Sequence, residues 1–324
     1  MKLPRREFLR LSGLMAAPFI SRGAFAQSYP SRPVRFVVPF TPGGTTDTIA
    51  RILARYLSEP LGQQVVIENR PGGGTNIAVQ YVVKSPPDGY TLLMTLTTNI
   101  INPSLFKSLP FDFQRDIAPV SGLAELPLVL VINRDLPVKT VAEFVSYAKS
   151  NPDKITFASF GARTVSHLSI ELIKSATGIS VVHVPYPGGP PMLTDVITNR
   201  VQAAIDALPN SLPHIRGGAV RCLAVLTKAR TPLLPDVPAI GETLPGIEVG
   251  GGTGIGVPRG TPAEIIERLN RDINASLSNP ALKARYADIG ATPLILTPAE
   301  ASARIARDIP KWQKVIEQAG LKQE

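Results

Sequence analysis

A polar turn rich in glycine and threonine follows the first apolar run of the chain and precedes a helical period of apolar residues. It reads Phe40-Thr41-Pro42-Gly43-Gly44-Thr45-Thr46-Asp47. Glycines allow a tight turn, and the free N–H groups and macrodipole at a helix start favour an anion. No lysine follows the glycines and no Gly-x-Gly-x-x-Gly spacing occurs, so neither common nucleotide loop is present. The residues leave open an anion site or a tight strand–helix connection without a ligand.

A second polar loop has the same position between a strand and a helix in the middle of the chain. It reads Phe160-Gly161-Ala162-Arg163-Thr164-Val165-Ser166-His167. Ser166 and His167, with Asp206 further on, invite comparison with a Ser-His-Asp triad. Neighbouring residues at a helix start point about 100° apart, and no nucleophile-elbow pattern surrounds the serine. We therefore expect His167 to be a donor on the loop or helix face rather than a catalytic base.

A single carboxylate, Asp206, ends the predicted strand Val201 to Ile205. The carboxyl ends of parallel strands are where α/β sheets bind ligands, so Asp206 could accept from a hydroxyl or ammonium group. Capping of the next segment is the alternative role. His183 and His214 have no second ligand at metal spacing, and Cys222 is the one cysteine of the chain. No metal, no disulfide and no cofactor is predicted.

Strands and helices alternate along most of the chain, which predicts the elements that position these loops. Short apolar runs are each followed by a turn or by a stretch with helical spacing of apolar residues. Examples are Val34 to Phe40, Val65 to Ile67 and Thr91 to Leu96. From Pro262 onward the pattern is helical. This alternation predicts an α/β fold with parallel sheets and helices on both faces. No internal repeat and no low-complexity linker separates the elements.

The first 26 residues have the pattern of a twin-arginine signal peptide. Arg5-Arg6 precedes an apolar stretch, Leu11 to Ile20, and Ala24-Phe25-Ala26 offers small residues for cleavage before Gln27. The stretch is shorter than the about 20 residues of a membrane anchor. Export to a bacterial periplasm is predicted, by the twin-arginine or the general route. An amphipathic N-terminal helix of a cytoplasmic protein is the alternative.

Charge and length narrow the class of protein further. The chain has 324 residues and a formal charge of +9, of which +4 lies in the first 26 residues. A charge of +5 without any run of lysine or arginine does not indicate nucleic-acid binding. The 298 residues after residue 26 suit two domains of about 150 residues each.

A series of motifs, in order along the chain, resembles the Bug family of solute-binding proteins, the TctC-like components of tripartite tricarboxylate transporters. The motifs are Pro39-Phe40-Thr41-Pro42-Gly43-Gly44 with Asp47, Leu61-Gly62-Gln63, Val65-Val66-Ile67-Glu68-Asn69-Arg70-Pro71-Gly72, Pro87-Asp88-Gly89-Tyr90-Thr91-Leu92-Leu93, His183-Val184-Pro185-Tyr186, Leu234-Pro235-Asp236-Val237-Pro238, and Pro258-Arg259-Gly260-Thr261-Pro262. The match extends from Tyr29 to about Gly320.

The resemblance implies an α/β periplasmic binding protein of the type II-like, Venus-flytrap class, with two parallel-sheet domains joined by two crossings. Residues 27–125 with 250–324 would form domain 1, and residues 126–249 domain 2. The protein would hold a small carboxylate and deliver it to a membrane permease; a monomer is expected. The ligand-binding residues implied are Phe40, Thr41, Gly43, Gly44, Thr45, Thr46, Thr98, Asn99, Ala162, Arg163, Thr164, His167, Tyr186 and Asp206.

Some positions depart from the family pattern, and two functional alternatives stay open. Gly161-Ala162-Arg163-Thr164 stands where a loop richer in glycine is usual, and Gly252 stands where tryptophan is common. Arg163 could pair with a second ligand carboxylate, or it could be a solvated surface arginine. A binding protein that serves a sensor kinase is one alternative function. A periplasmic enzyme that uses Asp206 and His167 on a small acid is the other.

Overall fold

The computed structural model describes residues 29–318. The predicted signal peptide lies outside the described residues. The ten strands are β1 (Val34–Val38), β2 (Val65–Asn69), β3 (Thr91–Leu96), β4 (Ile117–Asn133), β5 (Thr156–Ser159), β6 (Val182–Pro185), β7 (Ala203–Ala207), β8 (Val220–Val225), β9 (Gly250–Pro258) and β10 (Thr292–Pro293).

Eleven α-helices and two 3₁₀ turns alternate with these strands within the described range. The helices are α1 (Thr45–Leu61), α2 (Asn76–Val83), α3 (Thr97–Leu105), α4 (Phe113–Asp116), α5 (Val141–Ser150), α6 (Val165–Thr177), α7 (Gly189–Ile197), α8 (Leu208–Arg216), α9 (Ala263–Ser278), α10 (Pro280–Asp288) and α11 (Pro298–Gln318). The 3₁₀ turns are Gly73–Thr75 and Ile240–Glu242. Between residues 29 and 318, no helix combines the length and the apolar character needed to span a bilayer.

The first sheet is built around β1, which pairs in parallel with β2 and β3. Strand β9 then lies antiparallel between β3 and the first part of β4. Alternate residues of β1 face opposite sides, because side chains in a strand alternate. Phe36 packs with helices α1, α9 and α10, whereas Val37 packs with α2. Helices α9 and α10 therefore complete the first sheet's core rather than forming a core of their own, whereas Trp312 and Ile316 of α11 join the core of the second half.

The second sheet contains the rest of β4. β4 pairs antiparallel with β7 and β8, while β5 lies parallel between β7 and β6. Phe157 faces a core that includes helices α5 and α6, and the next residue, Ala158, faces helices α7 and α8. The predicted arrangement of sheets with helices on both faces is thus confirmed. The sheets are mixed rather than purely parallel, because β4 and β9 run against their neighbours.

The two sheets are connected by β4 and by the chain that returns to β9. β4 is a single strand of 17 residues, of which Pro127 still pairs with β9 and Leu128 already pairs with β7. On the return path, the Val249 amide donates to the Leu226 carbonyl, and Gly250 pairs with Pro127. Within the described residues the chain therefore passes twice between the sheets at the same level. The first passage lies within β4 and the second at the start of β9, in agreement with the absence of a low-complexity linker in the sequence.

Candidate functional site

A cavity of about 60 Å³ lies between the two sheets, and residues of both sheets line it. We call it the inner cavity. The first sheet contributes the turn before α1 and the start of α3, and the second sheet contributes the ends of β5 and β7. The lining residues are Phe40, Thr41, Gly44, Thr45, Thr46, Leu96, Thr97, Thr98, Leu126, Leu128, Phe160, Val165, Gly189, Asp206, Ala207, Gly251, Gly252 and Thr253.

The turn before α1 places a helix start against this cavity. Gly43 has φ +81°, a conformation that favours glycine, and Gly44 is the N-cap residue with no side-chain cap. Asp47 holds the turn from inside, since its carboxylate accepts from the Gly43 amide at 2.9 Å and from Asn69 Nδ2 at 3.0 Å. Burial alone would raise the pKa of Asp47, but hydrogen bonds from Arg51, Gly43 and Asn69 hold it below its ordinary value. Asp47 is therefore a support of the turn.

Two threonine hydroxyls of this turn are buried without a hydrogen-bond partner in the protein. They are Thr41 Oγ1 and Thr45 Oγ1, and both residues line the inner cavity. A buried hydroxyl that makes no hydrogen bond costs about 1–3 kcal/mol. Folded proteins rarely leave such groups unsatisfied, so two of them beside one helix start indicate a place where a polar ligand group or water binds.

Helix α3 adds further polar groups to the inner cavity and makes a contact between the two halves of the molecule. The Val165 amide at the start of α6 donates to Thr98 Oγ1 at 3.4 Å. Thr97 Oγ1 accepts from the Gly252 amide at 2.9 Å, which fixes β9 against α3. Asn99 has a local role, because its Oδ1 accepts from the Leu96 amide at 2.8 Å and its Nδ2 donates to Thr75 at 2.8 Å.

Asp206 is the one charged side chain among the residues that line the inner cavity. It is 1% exposed and lies inside β7, not after the strand as the sequence suggested, because β7 continues to Ala207. Its Oδ2 accepts from Asn210 Nδ2 at 2.7 Å and from Ser211 Oγ at 2.6 Å. Burial raises the pKa of Asp206 despite these hydrogen bonds. The group can thus act as a carboxylate acceptor or, when protonated, as a donor.

A neighbouring cavity of about 270 Å³, which we call the outer cavity, is lined by four of the predicted residues from the second half of the chain. They are Ala162, Arg163, Thr164 and Tyr186. The guanidinium carbon of Arg163 lies 4.5 Å from the centre of the Phe106 ring. The Thr164 hydroxyl donates to the Gly161 carbonyl at 2.7 Å, and that of Tyr186 donates to Asp195 at 2.7 Å. These hydroxyls are engaged within the second half of the molecule.

His167 lies outside both cavities. Its ring stacks on His183 at 3.9 Å, and its Nδ1 accepts from the Arg163 amide at 3.1 Å. Ser166 Oγ donates to the Ile205 carbonyl at 2.7 Å, so no Ser-His-Asp triad forms with Asp206. Burial, with the nearby His167, lowers the pKa of His183 to about 4. Across the described residues, no group of three or more His, Cys, Asp or Glu side chains is placed to hold a metal ion.

Seven of the fourteen residues predicted from the sequence therefore line the inner cavity, and four line only the outer one. Gly43, Asn99 and His167 line neither. Sequence reasoning singled out Phe160 and Val165 in the second loop and Gly252 as a departure from the family pattern, but did not assign them to the site. It missed the rest of the apolar wall and of the strands between the sheets, namely Leu96, Thr97, Leu126, Leu128, Gly189, Ala207, Gly251 and Thr253. The run Gly250-Gly251-Gly252 was a usable signal, because glycines weaken a strand interior and often mark a close approach.

Comparison with known proteins places this architecture in a family. The model of the tripartite tricarboxylate transporter family receptor, TctC, matches residues 49–321. BugT of Bordetella pertussis is 37% identical over 311 residues, which cover 95% of this chain and 95% of BugT. A UPF0065 protein from the tcbD-tcbE intergenic region of Pseudomonas sp. strain P51 is 36% identical over 314 residues, covering 96% of this chain and 94% of that protein.

Solved structures show the same fold. An R. palustris protein with adipate gives a TM-score of 0.89 at 39% identity and covers 91% of this chain and 100% of that one. The periplasmic binding protein BugD gives a TM-score of 0.89 at 32% identity, and the match covers 91% of this chain and 100% of BugD. MatC from Rhodopseudomonas palustris with bound malate gives a TM-score of 0.84 at 33% identity, and the match covers 89% of this chain and 100% of MatC. These neighbours confirm the predicted periplasmic binding protein fold. Together with the family match, they show that the chain belongs to the TctC family of tripartite tricarboxylate transporter receptors.

Proposed function

We propose that this protein captures a small carboxylate in the inner cavity and delivers it to the membrane permease of a tripartite tricarboxylate-type transporter. The observation that carries the proposal is the pair of unpartnered hydroxyls, Thr41 and Thr45, at the start of a helix of 17 residues. A carboxylate there would accept from these hydroxyls and from the free amides of the first helical turn. Such charge-assisted hydrogen bonds are strong once water is excluded. The helix macrodipole adds attraction for the negative charge.

The contacts between the two sheets support a closed, ligand-holding arrangement. The Phe40 and Phe160 rings meet edge to face at 5.7 Å, and Val165 donates to Thr98 across the same gap. Gly188 lies so close to Thr41 that it has no room for a side chain. We assign residues 27–125 and 250–324 to one domain and residues 126–249 to the other, with the hinge where β4 and the chain before β9 change sheet. Opening at this hinge would expose the helix start to solvent.

The proposed binding set is the part of the predicted set that lines the inner cavity. It consists of Phe40, Thr41, Gly44, Thr45, Thr46, Thr98 and Asp206. No Lys, Arg or His side chain is among the described residues that line this cavity. Backbone amides, hydroxyls and helix dipoles would therefore provide the attraction for the anion. The neighbours with adipate and malate support a carboxylate as the ligand class.

The arrangement favours binding over catalysis. An enzyme acting on a small acid would need Asp206 and His167 to converge on one ligand. Asp206 faces the inner cavity, whereas His167 stacks on His183 outside it. Family membership implies a periplasmic location, and the twin-arginine pattern suggests the export route. We propose that the mature protein acts as a monomer with the permease as its partner.

A thermal-shift screen of the mature protein tests the proposal. The panel holds mono-, di- and tricarboxylates, including adipate and malate, each matched with its uncharged amide. A ligand that binds only the native state stabilises it by about 2.7 kcal/mol at 100 times its dissociation constant. We expect at least one acid to raise the melting temperature and its amide to have no effect. Equal shifts with acids and amides, or no shift with any acid, would contradict carboxylate capture.

A further inference from the structure

Two aromatic rings form the wall between the inner and the outer cavity. Phe40 and Phe160 are the two residues that appear in the lining of both cavities. Their ring centres lie 5.7 Å apart at an interplanar angle of 88°, an edge-to-face arrangement that stabilises aromatic pairs. The rings are in contact, so on the side of the outer cavity the inner cavity ends at this pair.

The pair joins the two halves of the molecule. Phe40 precedes the turn that leads to α1 in the first half, and Phe160 directly follows β5 in the second half. Both side chains are half-buried. Because each ring belongs to a different sheet, the wall forms only when the two sheets approach each other. The wall between the cavities is thus also a contact between the two halves.

The two cavities differ in size and in chemistry. The inner cavity has about 60 Å³ and the outer one about 270 Å³. One water needs about 10–15 Å³ of such space, so the inner cavity holds on the order of five water-sized groups. Apart from the threonines and Asp206, its side-chain walls are apolar and include Leu96, Leu126 and Leu128. The outer cavity is lined by Arg163, Phe106 and the glycines at 72–74.

We propose that the Phe40–Phe160 pair sets the length limit of the bound carboxylate, and that the protein selects a compact acid with an apolar body. The acid's carboxylate binds at Thr41 and Thr45, and its body fills the space up to Phe160. A longer acid that extends toward this pair must push Phe160 away and enter the outer cavity, which breaks the contact between the two rings. This inference rests on the proposed function and names the substrate class of the same cavity.

A series of straight-chain monocarboxylates from propanoate to decanoate tests the length limit by isothermal titration. For the wild-type protein we expect an optimum at a short acid and a fall in affinity on the order of tenfold once the chain overfills the cavity. Phe160→Ala joins the two cavities, so its optimum should move to an acid at least two carbons longer. Phe160→Leu should give an intermediate optimum.

Phe106→Ala is the matched control, because Phe106 lines only the outer cavity. This variant should keep the wild-type optimum. The melting temperature of each unliganded variant shows whether it folds. If Phe160→Ala does not fold, the optimum of Phe160→Leu is compared with that of the wild type instead. The same optimum in wild type and in the folded Phe160 variants would overturn the length limit while leaving carboxylate capture in place. Failure of every acid, including those of the thermal-shift panel, to bind the wild-type protein would overturn both.

Discussion

The turn before α1 and the loop before α6 are built alike in sequence but differ in how their polar groups are used. Both follow a strand, contain glycine and threonine, and begin a helix. In the first turn, Thr41 and Thr45 leave their hydroxyls unpartnered against the inner cavity. In the second loop, Thr164 donates to Gly161, and the Arg163 amide donates to His167. The same strand–turn–helix unit thus leaves two hydroxyls unpartnered in one half and completes its own hydrogen bonds in the other.

Under the proposed function, the ligand binds at the helix start whose donors the protein leaves free. In the first turn, Asp47 supports the backbone from behind and leaves the cavity side open. In the second half, Asp206 is itself engaged by Asn210 and Ser211. We therefore expect substitutions in the first turn to change affinity more than substitutions in the second loop.

Gly44→Val should have the largest effect. Gly44 has φ −80°, so the backbone conformation at this position allows valine. A Cβ at this position would lie 3.4 Å from Pro190 Cδ on the other side of the cleft, and the branched methyl groups would obstruct closure. We expect a loss of about 3 kcal/mol of binding, on the order of 100-fold, with little change in the unliganded melting temperature.

Titration calorimetry and unliganded melting curves of Gly44→Val and wild type check this expectation. A parallel loss of stability and affinity would show that the turn is only a structural connection. Preserved affinity would show that the ligand does not bind at this helix start.

Thr45→Val should have the next largest effect, and it separates binding from folding. Valine has nearly the same shape but lacks the hydroxyl, which has no partner in the protein. Removing an unsatisfied buried hydroxyl should leave the unliganded protein equally or more stable. Affinity should fall by about 1.5 kcal/mol, roughly tenfold, if the ligand accepts from this group. Chemical denaturation and calorimetry measure the two quantities, and unchanged affinity would remove Thr45 from the site.

Asp206→Asn should change the pH dependence of stability. Burial raises the pKa of Asp206 in the folded protein, so the folded state binds the proton more tightly than the unfolded state. Its contribution to stability is fully present below the unfolded pKa and is lost as pH rises through the folded value. Wild type should therefore lose stability relative to Asp206→Asn across this interval. Urea unfolding of both proteins between pH 3 and pH 8 checks the sign, and parallel curves would contradict it.

Arg163→Ala should have the smallest effect on the ligand. The guanidinium lies over Phe106 in the outer cavity, so its removal should cost the acid about 0.5 kcal/mol or less, roughly twofold. A pair between Arg163 and a second ligand carboxylate would instead cost about 2 kcal/mol or more. Calorimetry with a monoacid and a diacid of equal length distinguishes the two. A large loss confined to the diacid would show that the second loop binds ligand after all.

The sequence by itself determined the alternation of strands and helices, the family, and the first turn. The periodic spacing of apolar residues, the glycines and the helix caps each affect the backbone within a few residues. A pattern such as the apolar run Val34 to Phe40 followed by Gly43-Gly44 therefore specifies local structure. The helical pattern after Pro262 was likewise readable from the sequence, and α9, α10 and α11 lie there, because an amphipathic period over many residues is a strong signal.

Only the tertiary structure decided which polar groups stay free and where the cavity ends. Asp206 and His167 could each have served a ligand on sequence grounds. In the folded protein, Asn210 and Ser211 donate to Asp206, and the Arg163 amide donates to the His167 ring. The wall between Phe40 and Phe160 joins residues 120 positions apart. Burial and hydrogen bonding of this kind depend on which segments meet in space, and the pattern of neighbours along the chain does not contain that information.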